Sequence, residues 1–362
     1  MKASSILCLL PALAASPMLK AHTLSYSGGS GLERRANSYD LSFYNPHFLG
    51  DESYSEYWDH VFAFDSGHVL YARFVATNLG WGDKKGAVIG TLVNPDGTRH
   101  DFRNGREDGK WSWDRTAFHL KVAGHDLRGK YPNYELSLRD KNRPASLELK
   151  YTALAEPWQA GRLQPSGKKS FMDDSLLAAT AEIRGTLHIK GVGDTALNGI
   201  GFVRHTYTNE AEYKLAQEVM LFHTLRKEGV NVIGMSMRAS GKYNHQRVGW
   251  ILVSGPNGHV LEDFQGKVEP LGTPRKDPAI GYWVPQQYRL AGAIDGVIEL
   301  TDELHRFDIL AKVSKFERRI ISMFSRPVEY RMRMRYTLSG KALGPQGITG
   351  NGLATVSIMD KD

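Results

Sequence analysis

The residues best suited to chemistry in this sequence lie close together in residues 199–209, which read Gly-Ile-Gly-Phe-Val-Arg-His-Thr-Tyr-Thr-Asn. Arg204, His205 and Tyr207 bring a guanidinium, an imidazole and a phenol into this short segment. In a strand, alternation places His205 and Tyr207 on one face, so both side chains could enter one cavity. An imidazole beside a phenol can orient a ligand hydroxyl or move a proton. The alternative is a hydrogen-bonded histidine beside a core tyrosine, and the sequence leaves both open.

A second candidate for ligand contact is the run of residues 328–338, which alternates in polarity throughout. One face carries Tyr330, Met332, Met334 and Tyr336, and the other carries Glu329, Arg331, Arg333 and Arg335. Methionine and tyrosine make adaptable linings for an apolar pocket, although a filled barrel core would show the same alternation. The arginine face is expected to be solvated, with contact to anionic lipid headgroups as the alternative. Trp250 and Trp283 add large apolar surface and complete the predicted ligand-binding set.

Other reactive patterns are missing from the sequence. The 13 histidines are scattered, and none has His-x-His, His-x-x-x-His or His-Glu-x-x-His spacing, so the spacing predicts no metal site. Gly199 and Gly201 make only half of a dinucleotide fingerprint, because Arg204 stands where the third glycine belongs. There is no Gly-x-Ser-x-Gly elbow and no phosphate-binding glycine loop. The sequence therefore predicts no cofactor.

Length and composition describe a globular protein. The chain has 362 residues, of which 41% are apolar and 23% charged, enough for two domains of ordinary size. Its net charge of +7 is spread along the chain without a dense lysine and arginine block. We therefore expect no nucleic-acid partner, and contact with a membrane surface stays open.

The amino terminus is typical of an export signal. Lys2 is followed by an apolar stretch at residues 6–15 and then by small residues, with candidate cleavage sites after Ala14 or Ala21. The only cysteine, Cys8, lies inside this signal, so the mature chain would have no disulfide and no thiolate site. We expect an exported protein, in a bacterial periplasm or secreted.

The elements that must position these residues are strands. Apolar and polar residues alternate strictly at residues 118–122, 147–152 and 182–190, as in antiparallel sheets with one face in a core. A strand-turn-strand passage at residues 69–102 returns in the same order at residues 230–264. The sequence therefore predicts an all-β protein with two tandem lipocalin-like barrels and a few short helices.

The predicted divisions follow from composition and from where alternation resumes. Residues 166–180 hold linker-like Gly and Lys residues, and a clean alternating strand begins shortly after them. The predicted ranges are a signal peptide at 1–21, a flexible leader at 22–40, a first barrel at 41–165, a linker at 166–180 and a second barrel at 181–362. The best helix candidate spans residues 314–324.

Several ordered segments carry a resemblance to a known family. They are residues 62–67 (Phe-Ala-Phe-Asp-Ser-Gly), 71–80, 281–285 (Gly-Tyr-Trp-Val-Pro), 307–330 and 352–357. Together these segments resemble the tandem-lipocalin (calycin-like) superfamily of survival-factor-like proteins, carotenoid hydratases and fungal Diels–Alderases, with the survival-factor-like branch nearest. The resemblance implies paired barrels and a hydrophobic ligand. Hydratase-like members carry Asp-His-x-Trp where this chain has Arg204, His205, Thr206 and Tyr207, so the acid that would protonate an alkene is missing there.

Three hypotheses on function follow. The first is a protein that binds or carries a lipid-like or terpenoid ligand, with the more specialised site in the second half of the chain. The second is a cyclase, isomerase or hydratase acting on a polyene or terpenoid, with His205 and Tyr207 handling protons and Arg204 beside them. A buried carboxylate next to that pair would favour the enzyme. The third is a structural or interaction protein of the cell envelope.

Overall fold

The computed structural model describes residues 23–27, 41–79, 83–308 and 326–359. The predicted signal peptide, most of the predicted leader and the predicted helix at residues 314–324 lie outside this part of the chain. None of the described helices has the length and apolar composition that spanning a bilayer would require.

The first part of the chain forms an antiparallel sheet of 13 strands, with the short helix α1 (Leu41–Tyr44) between the first and second of them in sequence. The strands are β1 (Leu24–Ser27), β2 (Ser55–Phe64), β3 (Val69–Thr77), β4 (Lys85–Val93), β5 (Arg99–Arg106), β6 (Trp111–Trp113), β7 (Phe118–Val122), β8 (His125–Lys130), β9 (Asn133–Arg139), β10 (Ala145–Ala153), β11 (Trp158–Pro165), β12 (Met172–Ile189) and β13 (Gly193–Thr208). Their order is β5-β4-β3-β2-β13-β12-β10-β9-β8-β7-β6, and β11 pairs with β1 and β12.

A second antiparallel sheet of nine strands follows the helix α2 (Glu212–Leu215). The elements are β14 (Ala216–His223), β15 (Asn231–Ala239), β16 (Arg247–Gly255), β17 (Gly258–Asp263), β18 (Lys267–Leu271), β19 (Arg275–Lys276), β20 (Trp283–Val284), β21 (Gln287–Ala291), β22 (Asp295–Asp308), β23 (Val328–Ser339) and β24 (Ile348–Ile358), with 3-10 turns at Gly241–Tyr243 and Lys341–Leu343. The order is β17-β16-β15-β14-β24-β23-β22-β21-β18, and β19 pairs only with β20.

The two sheets share one topology. In each, four consecutive strands lie side by side, and the last strand of the sheet in sequence, β13 or β24, pairs with the first of those four. The repeated passage found in the sequence corresponds to β3–β5 in the first sheet and to β15–β17 in the second. The all-β prediction with two tandem barrel-like sheets is therefore confirmed.

The structure places the change of sheet at residues 209–215, not in the predicted linker at 166–180. Both β12 and β13 pair within the first sheet, β13 directly against β2. The Gly and Lys residues before Met172 mark only the turn between β11 and β12. The first ten residues of β12 are buried on both faces, so they do not alternate, and the visible alternation begins in the middle of the strand.

Three apolar clusters form the cores of the described part of the protein. One lies inside the first sheet and a second lies inside the second sheet. The third packs the sheets against each other and includes Trp158 and Phe202 from the first sheet and Trp250 and Met235 from the second. The long strands β12 and β13 therefore have one face toward the first core and one toward this junction.

Gly199 and Gly201 let β13 approach β2 closely. A Cβ atom on Gly201 would lie 2.2 Å from the carbonyl oxygen of Val61 and 2.5 Å from the ring of Phe62. We expect Gly201→Ala to lower the free energy of unfolding by about 1–3 kcal/mol, because backbone cannot yield cheaply to the added methyl. Gly105→Ala is the control, since its Cβ would meet nothing within 4 Å. Equal denaturant midpoints for the two variants would contradict this account.

Candidate active site

His205 and Tyr207 lie on the inner face of the first sheet, on β13. Their ring centroids are 6.1 Å apart, as expected for neighbours on one face of a strand. In the register with β2, Tyr207 lies opposite Glu56 and His205 lies opposite Trp58. The pair therefore belongs to the first sheet, although its sequence position placed it in the predicted second barrel.

Glu56 is the centre of the site. Its side chain has 0% exposure, and its Oε1 atom lies 2.6 Å from His205 Nε2 and 2.8 Å from His47 Nδ1. Its Oε2 atom accepts hydrogen bonds from the backbone N–H of His47 at 2.8 Å and from the Tyr54 hydroxyl. Burial alone would raise the pKa of Glu56, but the hydrogen bonds and charge of His205 and His47 outweigh it and lower the pKa to about 2. The carboxylate is therefore ionised at neutral pH.

His205 has both ring nitrogens engaged. Its Nδ1 lies 3.0 Å from the carbonyl oxygen of Phe43, which can only accept, so Nδ1 carries a hydrogen. Its Nε2 faces Glu56, and its ring stacks on the indole of Trp58 with centroids 4.8 Å apart. The side chain is 1% exposed. His205 therefore holds Glu56 in place.

The cluster reaches solvent at His47 and Tyr207. The His47 side chain is 25% exposed, and its ring stacks on that of Tyr207 with centroids 3.8 Å apart. The Tyr207 hydroxyl donates to Asp173 Oδ2 at 3.2 Å. Burial, with the charge of Asp173, raises the pKa of Tyr207 to about 12. These two rings form the open edge of an otherwise buried site.

Buried aromatic side chains of the first core pack beside the cluster and form an aromatic wall. It continues from the cluster into the first core with Trp58, Phe62, Phe74, Phe118, Tyr134 and Tyr151. Tyr134 and Tyr151 stack with centroids 5.0 Å apart, and the Tyr151 hydroxyl lies 3.3 Å from His60 Nε2. Burial lowers the pKa of His60 to about 4, so this imidazole is neutral at pH 7. The inner face thus combines one charged cluster with a largely apolar wall.

Arg204 lies on the opposite face of β13, at the junction of the sheets, where Trp250 of β16 approaches it. Arg204 donates from Nε and Nη2 to Asp174 at 2.6 and 3.1 Å, and Trp250 donates from Nε1 to the same carboxylate at 3.0 Å. Sequence proximity therefore misleads for Arg204, because alternation turns its side chain away from His205.

The remaining predicted ligand contacts lie in the second half of the chain, away from Glu56. Tyr330, Met332, Met334 and Tyr336 are buried in the core of the second sheet. The Tyr330 hydroxyl donates to Asp277 Oδ2 at 2.8 Å, so this tyrosine is a satisfied core residue. Trp283 is 58% exposed, with the ammonium of Lys276 over its ring.

The arginine face of β23 is not the solvated surface that its alternation predicted. The guanidinium of Arg331 is buried, pairs with Glu329 at 2.6 Å and lies over the ring of Tyr71. Arg333 donates to the carbonyl oxygen of Gly67. Both arginines therefore contact the first sheet, because this face of β23 is covered by it. Only Arg335 lies at the surface, where it pairs with Glu299.

Sequence reasoning missed Glu56, His47, Tyr54 and Asp173. One signal for Glu56 was present: it stands in line with Tyr54, Trp58 and Phe62, on the face of β2 that is otherwise aromatic. A charged residue on the apolar side of an alternating strand is a candidate functional group. His47 lies in the segment after α1, and no local pattern marks it.

No family model matches this sequence, and no curated protein matches it either. Solved structures are similar over most of their length. NE1406 of Nitrosomonas europaea, given the provisional name AttH, is 12% identical, with 84% of this chain and 91% of that chain covered and a TM-score of 0.61. This chain has a tandem-lipocalin-like fold.

Two further tandem-lipocalin-like structures have similar values. Kievitone hydratase from Nectria haematococca is 12% identical, with 93% of this chain and 98% of that chain covered and a TM-score of 0.57. CghA, solved with Sch210972, is 11% identical, with 85% and 89% covered and a TM-score of 0.57. At these identities the likeness carries the fold and not the reaction.

Proposed function

We propose that this tandem-lipocalin protein is an enzyme of the lyase or isomerase type, acting on an apolar substrate such as a polyene or terpenoid at the inner face of the first sheet. The observation that carries the proposal is the buried Glu56 carboxylate, held by His205 and His47 beside an aromatic wall. Buried ionised groups are costly to maintain, so they concentrate at functional sites.

In this proposal the two histidines have different roles. His47 holds its Nδ1 on Glu56 and lies at the open edge, so its other nitrogen is the group placed to exchange a proton with a substrate. Glu56 orients that ring, as a carboxylate orients a catalytic histidine in other acid–base sites. His205 fixes Glu56 through a ring that is itself anchored on Phe43. Tyr207, stacked on His47, donates its hydroxyl hydrogen to Asp173, so its oxygen can accept a hydrogen bond from a polar group of the substrate.

The proposal draws limited support from the comparisons. One structure with this fold is named a hydratase, and another was solved with a small molecule, Sch210972. Hydration and cyclisation both need a positioned proton donor or acceptor beside an apolar substrate, which is the chemistry that Glu56 and His47 offer. The Asp that hydratase-like members carry before the histidine is Arg204 here, so the carboxylate of this site comes from another strand, β2.

The carrier hypothesis remains the second candidate because the aromatic wall suits an apolar ligand with or without turnover. Burial of apolar surface contributes roughly 25 cal/mol per Å², so such a wall needs few polar anchors to bind. The two hypotheses differ in whether bonds to hydrogen or oxygen are made at the ligand.

Isotope labelling separates them. The purified protein is incubated with a panel of polyenes, terpenoids and phenolic compounds in deuterated and in ¹⁸O-labelled water, and products are analysed by mass spectrometry. We expect deuterium or ¹⁸O in a product, formed about 100-fold or more slowly by Glu56→Gln, because His47 loses the carboxylate that orients it and a general acid–base group contributes about that much. Glu135→Gln, in an exposed pair with Arg128, is the control and should match the unmodified protein. Unlabelled apolar ligand recovered from the protein, without any labelled product, would favour the carrier.

A further inference from the structure

We propose that Glu56, His47 and His205 together bind one divalent transition-metal ion. Each residue offers one ligand atom, and these atoms all lie within 4.8 Å of one another. Two imidazoles and one carboxylate form a donor set that suits zinc, iron(II), cobalt(II) and similar ions. Nothing in the sequence spacing marks this set, since strand pairing assembles it from positions 9 and 149 residues apart.

The distances around Glu56 fit ligands on one side of an ion. His205 Nε2 and His47 Nδ1 lie 2.6 and 2.8 Å from the same oxygen, Glu56 Oε1. Ligand atoms held about 2.1 Å from an ion and at right angles are about 3 Å apart. Both rings face Glu56 Oε1, so an ion among the three atoms requires the imidazoles to turn until each nitrogen lies about 2.1 Å from it.

The contacts behind the three ligands are those that orient metal ligands in proteins. The Nδ1–H of His205 donates to the Phe43 carbonyl oxygen, so Nε2 is the nitrogen that donates to Glu56 here and that would exchange its hydrogen for an ion. The second carboxylate oxygen of Glu56 accepts from the Tyr54 hydroxyl and from the backbone N–H of His47. Glu56 and His205 are therefore each held by hydrogen bonds on the side away from the proposed ion. Each still has one ligand atom that faces the ion position.

Charge balance supports a cation at this point. Glu56 has no exposed surface, and its described hydrogen-bond partners are imidazole, phenol and peptide groups. A buried carboxylate needs positive charge beside it, and a divalent ion would supply it in place of the hydrogens that the two rings donate. Three protein ligands would leave further positions open, on the side where His47 and Tyr207 meet solvent.

Metal binding can be measured without any substrate. The full-length protein is stripped with a chelator and titrated with zinc and with cobalt(II), followed by calorimetry, metal analysis after desalting and the visible spectrum of bound cobalt. We expect one ion per chain. His47→Ala lies at the partly exposed edge and should weaken binding by more than the roughly 10–100-fold that losing an outer contact costs.

His119→Ala is the matched control. His119 Nε2 lies 2.8 Å from Asp126, also in a partly exposed histidine–carboxylate pair, and no third ligand joins it among the described residues, so its loss should leave metal affinity unchanged. Stoichiometry well below one ion, or equal affinity in His47→Ala and the unmodified protein, would overturn the inference. Label incorporation by a protein that binds no metal would retain the proposed reaction and reject the metal. One bound ion per chain without any labelled product would support the metal site and reject the proposed reaction.

Discussion

Asp174→Ala is expected to lower the free energy of unfolding by about 3–5 kcal/mol, the usual cost of removing one partner from a buried ion pair. Asp174 has no exposed surface and accepts both guanidinium hydrogen bonds of Arg204. It also accepts from the Thr206 hydroxyl and from the indole N–H of Trp250. The substitution would leave the buried charge of Arg204 unpaired and would remove the acceptor of the Thr206 hydroxyl and the Trp250 indole N–H. Because Trp250 belongs to the second sheet, it would also remove a polar link across the junction.

An exposed pair of similar geometry gives the comparison. Arg128 donates from Nε and Nη2 to Glu135, and both side chains are largely in water. Glu135→Ala should cost less than about 1 kcal/mol in the same denaturant titration. Replacing Asp174 and Arg204 together by Leu and Met should recover much of the loss, because no charge is then left unpaired. A cost for Asp174→Ala no larger than that for Glu135→Ala would show that the junction tolerates a lone arginine.

The fold was largely predictable because its signal is local and repeated. Alternation and the strand-turn-strand passage report on short segments, and β3–β5 and β15–β17 are such segments. The division between the sheets was not predictable in the same way. The first half of β12 is buried on one side by the first core and on the other by the second sheet, so its sequence has no polar face to read. Burial on both faces removes the signal on which strand prediction depends.

Only half of the candidate site could be predicted from the sequence, for a related reason. His205 and Tyr207 lie two positions apart, so strand geometry alone puts them on one face. Glu56 and His47 reach them only through the pairing of β13 with β2 and the position of the segment after α1, which no local pattern specifies. The same alternation that joined His205 to Tyr207 also excludes Arg204, whose guanidinium stabilises the junction instead.

A second large effect, a loss of stability at low pH, is expected from buried histidines that are neutral in the folded protein. His223 is the best placed of them: its Nε2 lies 2.7 Å from the Ala179 carbonyl oxygen, and its Nδ1 accepts from the Leu225 N–H at 2.8 Å. The neutral ring with hydrogen on Nε2 satisfies both contacts, whereas a second proton on Nδ1 would face a donor. Burial, against the opposing effect of the Ala179 carbonyl, lowers the pKa of His223 to about 4.

The direction of the effect follows from proton binding. Between pH 6.5 and 4 the unfolded chain protonates this histidine and the folded chain does not, so stability falls as pH falls through that window. Each such histidine contributes a slope of up to about 1.4 kcal/mol per pH unit. Burial also lowers the pKa values of His60 and His125 to about 4, so the unmodified protein should lose stability steeply.

His223→Asn isolates one contribution to that slope. The asparagine oxygen can still accept from Leu225 but does not titrate, so the variant should be less stable at pH 7.5 and yet lose less stability between pH 6.5 and 4. His188→Asn is the control, because His188 is exposed beside Asp194. Its replacement should leave unchanged the fall in unfolding free energy between pH 6.5 and 4 that the buried histidines cause. Denaturant titrations at half-unit intervals of pH would measure both. If the unfolding free energy of His223→Asn and of the unmodified protein fell in parallel with pH, His223 would be protonated in the folded protein. Its ring, stacked on Phe202 at the junction, would then need an anionic partner beyond the carbonyl of Ala179.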